Sequence, residues 1–116
     1  MLSSWSTSDW MTAVTGELGE AANIVKKLNR CRDRIPGNTE TEEELREKLG
    51  EEIADTAIYL DLLAQSLGFA LGRLIARKFN ATSARIGYPY MITLSDSHGS
   101  EPAEWPEDLR VREFPR

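Results

Sequence analysis

Proline is nearly absent from the first three quarters of the chain. Residues 1–87 contain only Pro36, and the other four prolines all lie in residues 88–116. A proline inside a helix removes a hydrogen bond and clashes with the preceding turn, so long helices are compatible only with the first part. The sequence therefore predicts a helical domain over residues 1–87 and a non-helical tail over residues 88–116.

Helix boundaries can be placed from capping residues and breakers. The first predicted helix begins within Ser6–Asp9, which offers a cap and an early acid, and it ends near Arg32, before the Pro36–Gly37 break. Thr39 or Thr41 can cap the second helix, which ends at Gly68. A third helix is expected over residues 70–84.

Apolar residues recur in these segments at spacings of three and four, which predicts one buried stripe on each helix. The stripes are Trp10, Val14, Leu18, Ala21, Val25 and Leu28 in the first helix; Leu45, Leu49, Ile53, Ala57, Leu60, Leu63 and Leu67 in the second; and Leu71, Leu74, Ile75 and Phe79 in the third.

The fold class expected from this pattern is all-α, an antiparallel helix bundle. The first helix has further apolar residues outside its stripe (Ala13, Ile24), and so does the second (Ile58, Leu62). Three helices of this length leave such residues exposed in a monomer, and bundles of this size often complete their core by pairing chains. We therefore expect a homodimer or homotetramer.

Composition excludes several function classes. The 116 residues include 19 acidic and 14 basic ones, for a formal charge of −5. An acidic chain lacks the basic footprint that nucleic acid or anionic membrane requires. No apolar run reaches the roughly 18 residues of a membrane span, and the N-terminus has no signal-peptide pattern. With one cysteine, Cys31, and one histidine, His98, an internal disulfide framework and a multi-cysteine zinc site are also excluded. We expect a cytoplasmic protein whose chemistry rests on carboxylates.

Two pairs of carboxylates lie beside the apolar stripes. Glu17 and Glu20 share a face of the first helix, and Glu52 and Asp55 repeat the same spacing on the second. Both pairs lie about 20 Å from the turn at Pro36, so antiparallel helices would bring them opposite one another. Four converging carboxylates predict an all-oxygen site for Mg²⁺ or Mn²⁺. The alternative is two solvated acidic faces, which glutamate-rich helices commonly carry.

The motifs Gly16-Glu-Leu-Gly-Glu-Ala-Ala-Asn23 and Glu51-Glu-Ile-Ala-Asp-Thr-Ala-Ile-Tyr59 resemble those of the MazG-like all-α nucleoside triphosphate pyrophosphohydrolases. The family signature is E-x-x-E on one helix and E-x-x-D on the next. The resemblance extends through Arg77-Lys-Phe-Asn80 and Arg85-Ile-Gly-Tyr-Pro89 and so covers about residues 8 to 90. It implies that residues 1–87 form a MazG-like catalytic domain.

The resemblance implies hydrolysis of (deoxy)nucleoside triphosphates between the α- and β-phosphates, with Mg²⁺ as cofactor and Mn²⁺ as a substitute. Glu17, Glu20, Glu52 and Asp55 would be the metal-binding and catalytic residues, and Glu20 or Glu17 could act as general base. Glu51 is a second choice, because it points about 100° away from Glu52. Substrate-binding candidates are Trp10, Asn23, Lys27, Tyr59, Lys78, Asn80, Arg85 and Tyr88.

The role expected on this basis is nucleotide-pool housekeeping. Alternatives of the same fold are a dUTP- or dCTP-directed diphosphatase and a phosphoribosyl-ATP pyrophosphatase. A non-catalytic helical module that senses a nucleotide or binds a partner protein is an alternative from a different class. From Met91 onward the tail matches no part of the family, and we expect His98 to be a surface group and Trp105 a docking residue.

Overall fold

The computed structural model describes residues 4–93 and the backbone of residues 111–113. Three helices, α1 (Thr7–Arg32), α2 (Glu42–Ser66) and α3 (Leu71–Ile86), are followed by two short strands, β1 (Tyr90–Ile92) and β2 (Val111–Glu113). The all-α prediction is confirmed for the body of the chain. His98 and Trp105 lie outside the described residues.

Capping boxes set the starts of α1 and α2. Ser6 Oγ accepts from the backbone N–H of Asp9 at 3.1 Å, and the Asp9 carboxylate accepts from the Ser6 N–H at 2.8 Å. Thr41 and Glu44 form the same reciprocal pair at 3.1 Å. Each box satisfies two backbone donors that a helix start otherwise leaves unpaired. Thr41, and not Thr39, is therefore the cap of α2.

Glycines with positive φ end the second and third helices. Gly68 (φ 77°) follows α2, and Gly87 (φ 72°) is the left-handed cap of α3. A residue with a Cβ adopts this conformation only at a cost, which explains glycine at both positions. The third helix is shifted by one or two residues relative to the predicted range of 70–84.

The helices α1 and α2 form an antiparallel hairpin. Their contacts run in reverse order along the two helices: Trp10 faces Tyr59, Glu17 lies near Glu52, and Lys27 pairs with Glu40 just before α2. The core side chains of this hairpin include Trp10, Val14, Ala21 and the fully buried Leu45.

Several residues predicted to face the core are exposed. Leu18 and Val25 on α1 are 57% and 41% exposed, and Ile53, Leu60 and Leu67 on α2 are 58%, 41% and 51% exposed. Ala57, and Ile75 on α3, are exposed as well. The apolar stripe of each hairpin helix is wider than the strip its partner covers, because one neighbouring helix can bury only one side of it.

The chain divides into two compact units, Met1–Phe69 and Ala70–Arg116. This division separates α3 from the hairpin, whereas the sequence grouped all three helices in one domain. In the second unit, the side-chain amide of Asn80 on α3 makes two hydrogen bonds to the backbone of Ile92. It accepts from the Ile92 N–H at 2.8 Å and donates to the Ile92 carbonyl at 2.9 Å. The Tyr90–Leu94 stretch, predicted only to extend along a neighbouring surface, contributes β1, which pairs antiparallel with β2.

Among the described residues, no single helix has both the length and the hydropathy of a membrane span, although α2 and α3 taken together, with the break between them, pass that test by length and composition.

Candidate metal centre and the neighbouring aromatic cluster

The antiparallel pairing of α1 and α2 brings three glutamates together. Glu17 and Glu20 lie one turn apart on α1, and Glu52 faces them from α2. Each offers a carboxylate oxygen within 4.8 Å of the other two. Glu17 and Glu52 are half-buried and Glu20 is exposed. We call these three residues the acidic triad.

Three carboxylates this close cannot all be ionised cheaply without a cation. Hydrogen bonding to Glu17, followed by partial burial and the charge of Glu20, raises the pKa of Glu52 from 4.5 to about 7. Without a metal, about half of the Glu52 side chains would therefore carry a proton at pH 7.

One oxygen of the triad has no partner among the described residues. Glu52 Oε2 is buried and makes no hydrogen bond to any residue that the structure describes. A buried carboxylate oxygen without a donor is costly, and a cation is the ligand that would satisfy it. Three carboxylate oxygens form a hard donor set, which Mg²⁺ or Mn²⁺ fits and which zinc does not favour. The donor set and the orphaned oxygen together fit a divalent cation.

Asp55, the fourth predicted ligand, is not part of this cluster. It lies one turn after Glu52 and is exposed. The next residue, Thr56, makes a hydrogen bond within the helix: its hydroxyl donates to the backbone carbonyl of Glu52 at 2.7 Å. The predicted register thus brings together three of the four carboxylates.

An aromatic cluster lies two helical turns from the triad. The rings of Trp5 and Trp10 have centroids 4.4 Å apart, and Tyr59 lies 6.3 Å from Trp10. Trp10 precedes Glu17 by seven residues and Tyr59 follows Glu52 by seven, which separates the two clusters by about 10 Å along the hairpin.

Trp10 combines burial with an unpaired donor. It is only 6% exposed, and its indole Nε1 is buried without a hydrogen-bond partner in the described part of the chain. A buried indole N–H usually finds an acceptor. The sequence predicted Trp10 as a substrate-binding residue. That its indole N–H lacks an acceptor among the described residues is a result of packing, which the sequence pattern does not specify.

Lys27 lies near the end of α1 and contacts residues of the turn between α1 and α2. Its ammonium pairs with Glu40 at 3.2 Å, and this hydrogen bond, followed by that of Thr39, lowers the pKa of Glu40. The amide of Asn38 donates to the Lys27 carbonyl at 2.8 Å. Lys27 therefore has a structural partner, whereas Asn23, another substrate-binding candidate, is exposed on α1.

The other four candidates belong to the second unit. Lys78 and Arg85 are exposed on α3, and Tyr88 is 47% exposed between the rings of Phe79 and Tyr90. Asn80 is committed to the backbone of Ile92, as described above. The sequence did not predict that the Asn80 and Asn38 side chains bond to the backbone, because their partners, Ile92 and Lys27, lie eleven or twelve residues away.

No family model, curated protein or solved structure matches this chain.

Proposed function

We propose that this protein is a Mg²⁺-dependent pyrophosphohydrolase that converts (deoxy)nucleoside triphosphates to nucleoside monophosphate and pyrophosphate. The observation that carries the proposal is the acidic triad with its unpartnered, buried Glu52 Oε2. The MazG-like motifs supply the reaction class, and the aromatic cluster supplies a second, independent support. The same motifs are the basis for proposing an all-α pyrophosphohydrolase fold for the helical body.

Glu17, Glu20 and Glu52 would hold the metal. A bound Mg²⁺ ion neutralises phosphate charge and lowers the pKa of a coordinated water. Binding also requires Glu52 to lose its proton, since carboxylate ligands bind metal in the ionised form.

The aromatic cluster would hold the base. Trp5, which is 44% exposed, offers a ring face, the buried Trp10 would support it from behind, and Tyr59 borders Trp10 from α2. Stacking on an aromatic side chain contributes about 1–3 kcal/mol per base and discriminates poorly between bases. The separation of about 10 Å between the two clusters suits a ligand with its phosphates at one end and a base at the other.

In the proposed reaction, a water oxygen bonds to the α-phosphorus. The bond from that phosphorus to the bridging oxygen breaks, and pyrophosphate leaves with the electron pair. Glu20, the exposed member of the triad, would accept the proton from the water, with Glu17 as the alternative base.

The experiment is release of pyrophosphate from a panel of ribo- and deoxynucleoside triphosphates with Mg²⁺. We expect Glu52→Gln to lower the rate at least about 100-fold, because it removes one of three anionic ligands. Glu51→Gln is the matched control, since Glu51 is exposed, adjacent and outside the triad. Release of single phosphate would mean that another bond is cut. Metal-dependent nucleotide binding without turnover would instead favour a sensing module.

A further inference from the structure

The start of α1 borders a surface cavity that has no role in the proposed metal chemistry. The cavity has a volume of about 650 Å³ and is lined, among the described residues, by Ser4, Trp5, Asp9, Thr12 and Ala13. Small-molecule sites commonly have volumes of roughly 300–1,000 Å³, so the space suits a ligand of that kind. We call it the α1 cavity.

Trp5 gives the α1 cavity an aromatic wall. Its side chain is 44% exposed, and the buried Trp10 ring lies against it, with the two ring centroids 4.4 Å apart. An exposed ring that a neighbouring ring holds in place can stack a nucleobase. Stacking discriminates poorly between bases, so any selection in this cavity comes from its polar groups.

The α1 cavity and the acidic triad lie on the same side of α1. Asp9 and Glu20 are eleven residues apart, which at 100° per residue puts them about 20° from one another around the helix. The rise from Asp9 to Glu17, the nearer triad residue on α1, is about 12 Å. Between them lie the small residues Ala13 and Gly16, and no atom lies within 4 Å of the position that a Cβ on Gly16 would take. A ligand with its base in the cavity can therefore extend along this side of α1 to the triad.

The polar side chains of Asp9 and Thr12 can only accept hydrogen bonds from a ligand in the cavity. Asp9 Oδ2 accepts the Ser6 N–H at 2.8 Å, and Oδ1 has no hydrogen bond to a residue that the structure describes. The Thr12 hydroxyl donates its one proton to the Ser8 carbonyl at 2.8 Å, which leaves only its lone pairs. A ligand edge that faces these two residues must therefore supply the donor.

The negative charge of Asp9 also decides which end of a nucleotide enters the α1 cavity. A phosphate and a carboxylate repel one another, and the repulsion strengthens where the surface excludes water. The cation proposed for the acidic triad attracts phosphate instead. The base is therefore the end of the nucleotide that suits the cavity.

We propose that the α1 cavity selects nucleobases with an exocyclic amino group, such as cytosine and adenine, and that Asp9 is the specificity-determining residue. The inference rests on the proposed function, because it names the substrate class of that same site. An amino group donates to Asp9 Oδ1 in a charge-assisted hydrogen bond. Uracil and hypoxanthine carry a carbonyl at the same position, and its lone pairs face those of the carboxylate with no proton between them. That carbonyl also adjoins the ring N–H, so a carboxylate that approaches this donor meets the same repulsion.

Binding of the α,β-methylene analogues of CTP and UTP with Mg²⁺ tests the inference, because neither analogue can be hydrolysed at that bridge. We expect calorimetric titration to give a dissociation constant at least about 10-fold lower for the cytidine analogue. Asp9→Asn should abolish this preference. The amide keeps an oxygen for the Ser6 N–H, and it presents a donor where the carboxylate presents an acceptor.

Glu44→Gln is the matched control. It makes the same change of carboxylate to amide in the capping box of α2, so it should alter helix stability to a similar extent and leave the base preference unchanged. Circular dichroism reports whether Asp9→Asn keeps its helices. If it does not, the native chain provides a second measurement: the α,β-methylene analogue of ATP should bind at least about 10-fold more tightly than that of ITP, because the two differ by the same exchange of amino for carbonyl.

Equal affinity within either pair of analogues would overturn the inference, as would tighter binding of the uridine analogue. A preference that a folded Asp9→Asn variant retains would overturn it too, and so would failure of all four analogues to bind. Failure of the proposed hydrolysis gives a different result. If the analogues bind in the expected order but the natural triphosphates release no pyrophosphate, the base selection is supported and the hydrolysis is not.

Discussion

Glu52 has a strongly raised pKa, about 7. It would be an ordinary surface acid on an isolated helix, but the antiparallel partner places Glu17 and Glu20 within 4.8 Å of it. The resulting pKa of about 7 means that the folded, metal-free protein binds a proton that the unfolded chain releases near pH 4.5.

We therefore expect Glu52 to reduce stability as pH rises. Between about pH 4.5 and about pH 7 the folded state binds more protons at this site than the unfolded state, so the free energy of unfolding falls with increasing pH. In EDTA, Glu52→Gln should match the native protein at pH 4 and unfold at a higher temperature at pH 8. Thermal melts across this range test it. Glu51→Gln should retain the native pH dependence, and an equal effect of both variants would contradict the assignment.

Mg²⁺ should oppose this loss of stability. A cation that binds the folded triad stabilises the protein by mass action, by about 2.7 kcal/mol at a concentration 100 times its dissociation constant. Because the metal competes with the proton on Glu52, the rise in unfolding temperature should be larger at pH 8 than at pH 5. Melts with and without Mg²⁺ measure this. A rise of equal size in Glu52→Gln would mean that the ion binds elsewhere.

At the scale of elements, α2 depends on its N-terminal cap. Thr41 Oγ1 accepts the Glu44 N–H, and the Glu44 carboxylate accepts the Thr41 N–H, both at 3.1 Å. Three glutamates in the first turn add a favourable interaction with the helix dipole. This start sets where α2 begins and therefore the position of Glu52 three turns later.

Thr41→Ala should lower the free energy of unfolding by about 1 kcal/mol, because the substitution leaves the Glu44 N–H without its side-chain acceptor. Thr39→Ala is the matched control. Thr39 is exposed, and its hydroxyl bonds only to the neighbouring Glu40 side chain in the contacts described, so we expect a change below about 0.5 kcal/mol. Urea unfolding of both variants gives the comparison. A larger loss in Thr39→Ala would indicate that the helix is capped differently in solution.

At the scale of the whole molecule, the division at residue 69 separates the hairpin from α3 and the strands. The acidic triad and the aromatic cluster both lie within the first unit. A two-helix hairpin with a core this small is marginal alone, because short chains bury too little apolar surface to offset the loss of chain entropy. The pairing of chains that the sequence predicts would supply the missing burial.

A fragment of residues 1–69 should therefore fold in a concentration-dependent way and still bind Mg²⁺. Circular dichroism over a range of fragment concentrations, followed by calorimetric titration with Mg²⁺, tests both parts. A fragment that stays unfolded at high concentration would show that the hairpin requires the second unit. The Leu18→Glu fragment is the control, and we expect it to be the less helical of the two at each concentration.

The sequence alone determined the features that depend on near neighbours in the chain. Ser6 and Thr41 cap their helices through residues three positions away, and Gly68 and Gly87 end theirs through their own backbone freedom. The spacing of the acidic pairs from the turn was enough to predict that Glu17, Glu20 and Glu52 would meet. Each of these features follows from helix geometry and local hydrogen bonding, which a sequence states directly.

Which side chains are buried, and what they contact, depends on the packing of the helices against one another. Leu18 and Val14 fit one helical stripe, yet Leu18 is exposed and Val14 is buried, because the position of α2 selects one side of that stripe. The hydrogen bond between Asn80 and Ile92 joins residues twelve positions apart in the chain. Whether the Trp10 Nε1–H finds an acceptor depends on the packing around the ring, and among the described residues it finds none. The raised pKa of Glu52 depends on a hydrogen bond to Glu17, on partial burial and on the charge of Glu20, and both glutamates belong to another helix. Burial and electrostatics are set by neighbours in space, which periodicity does not specify.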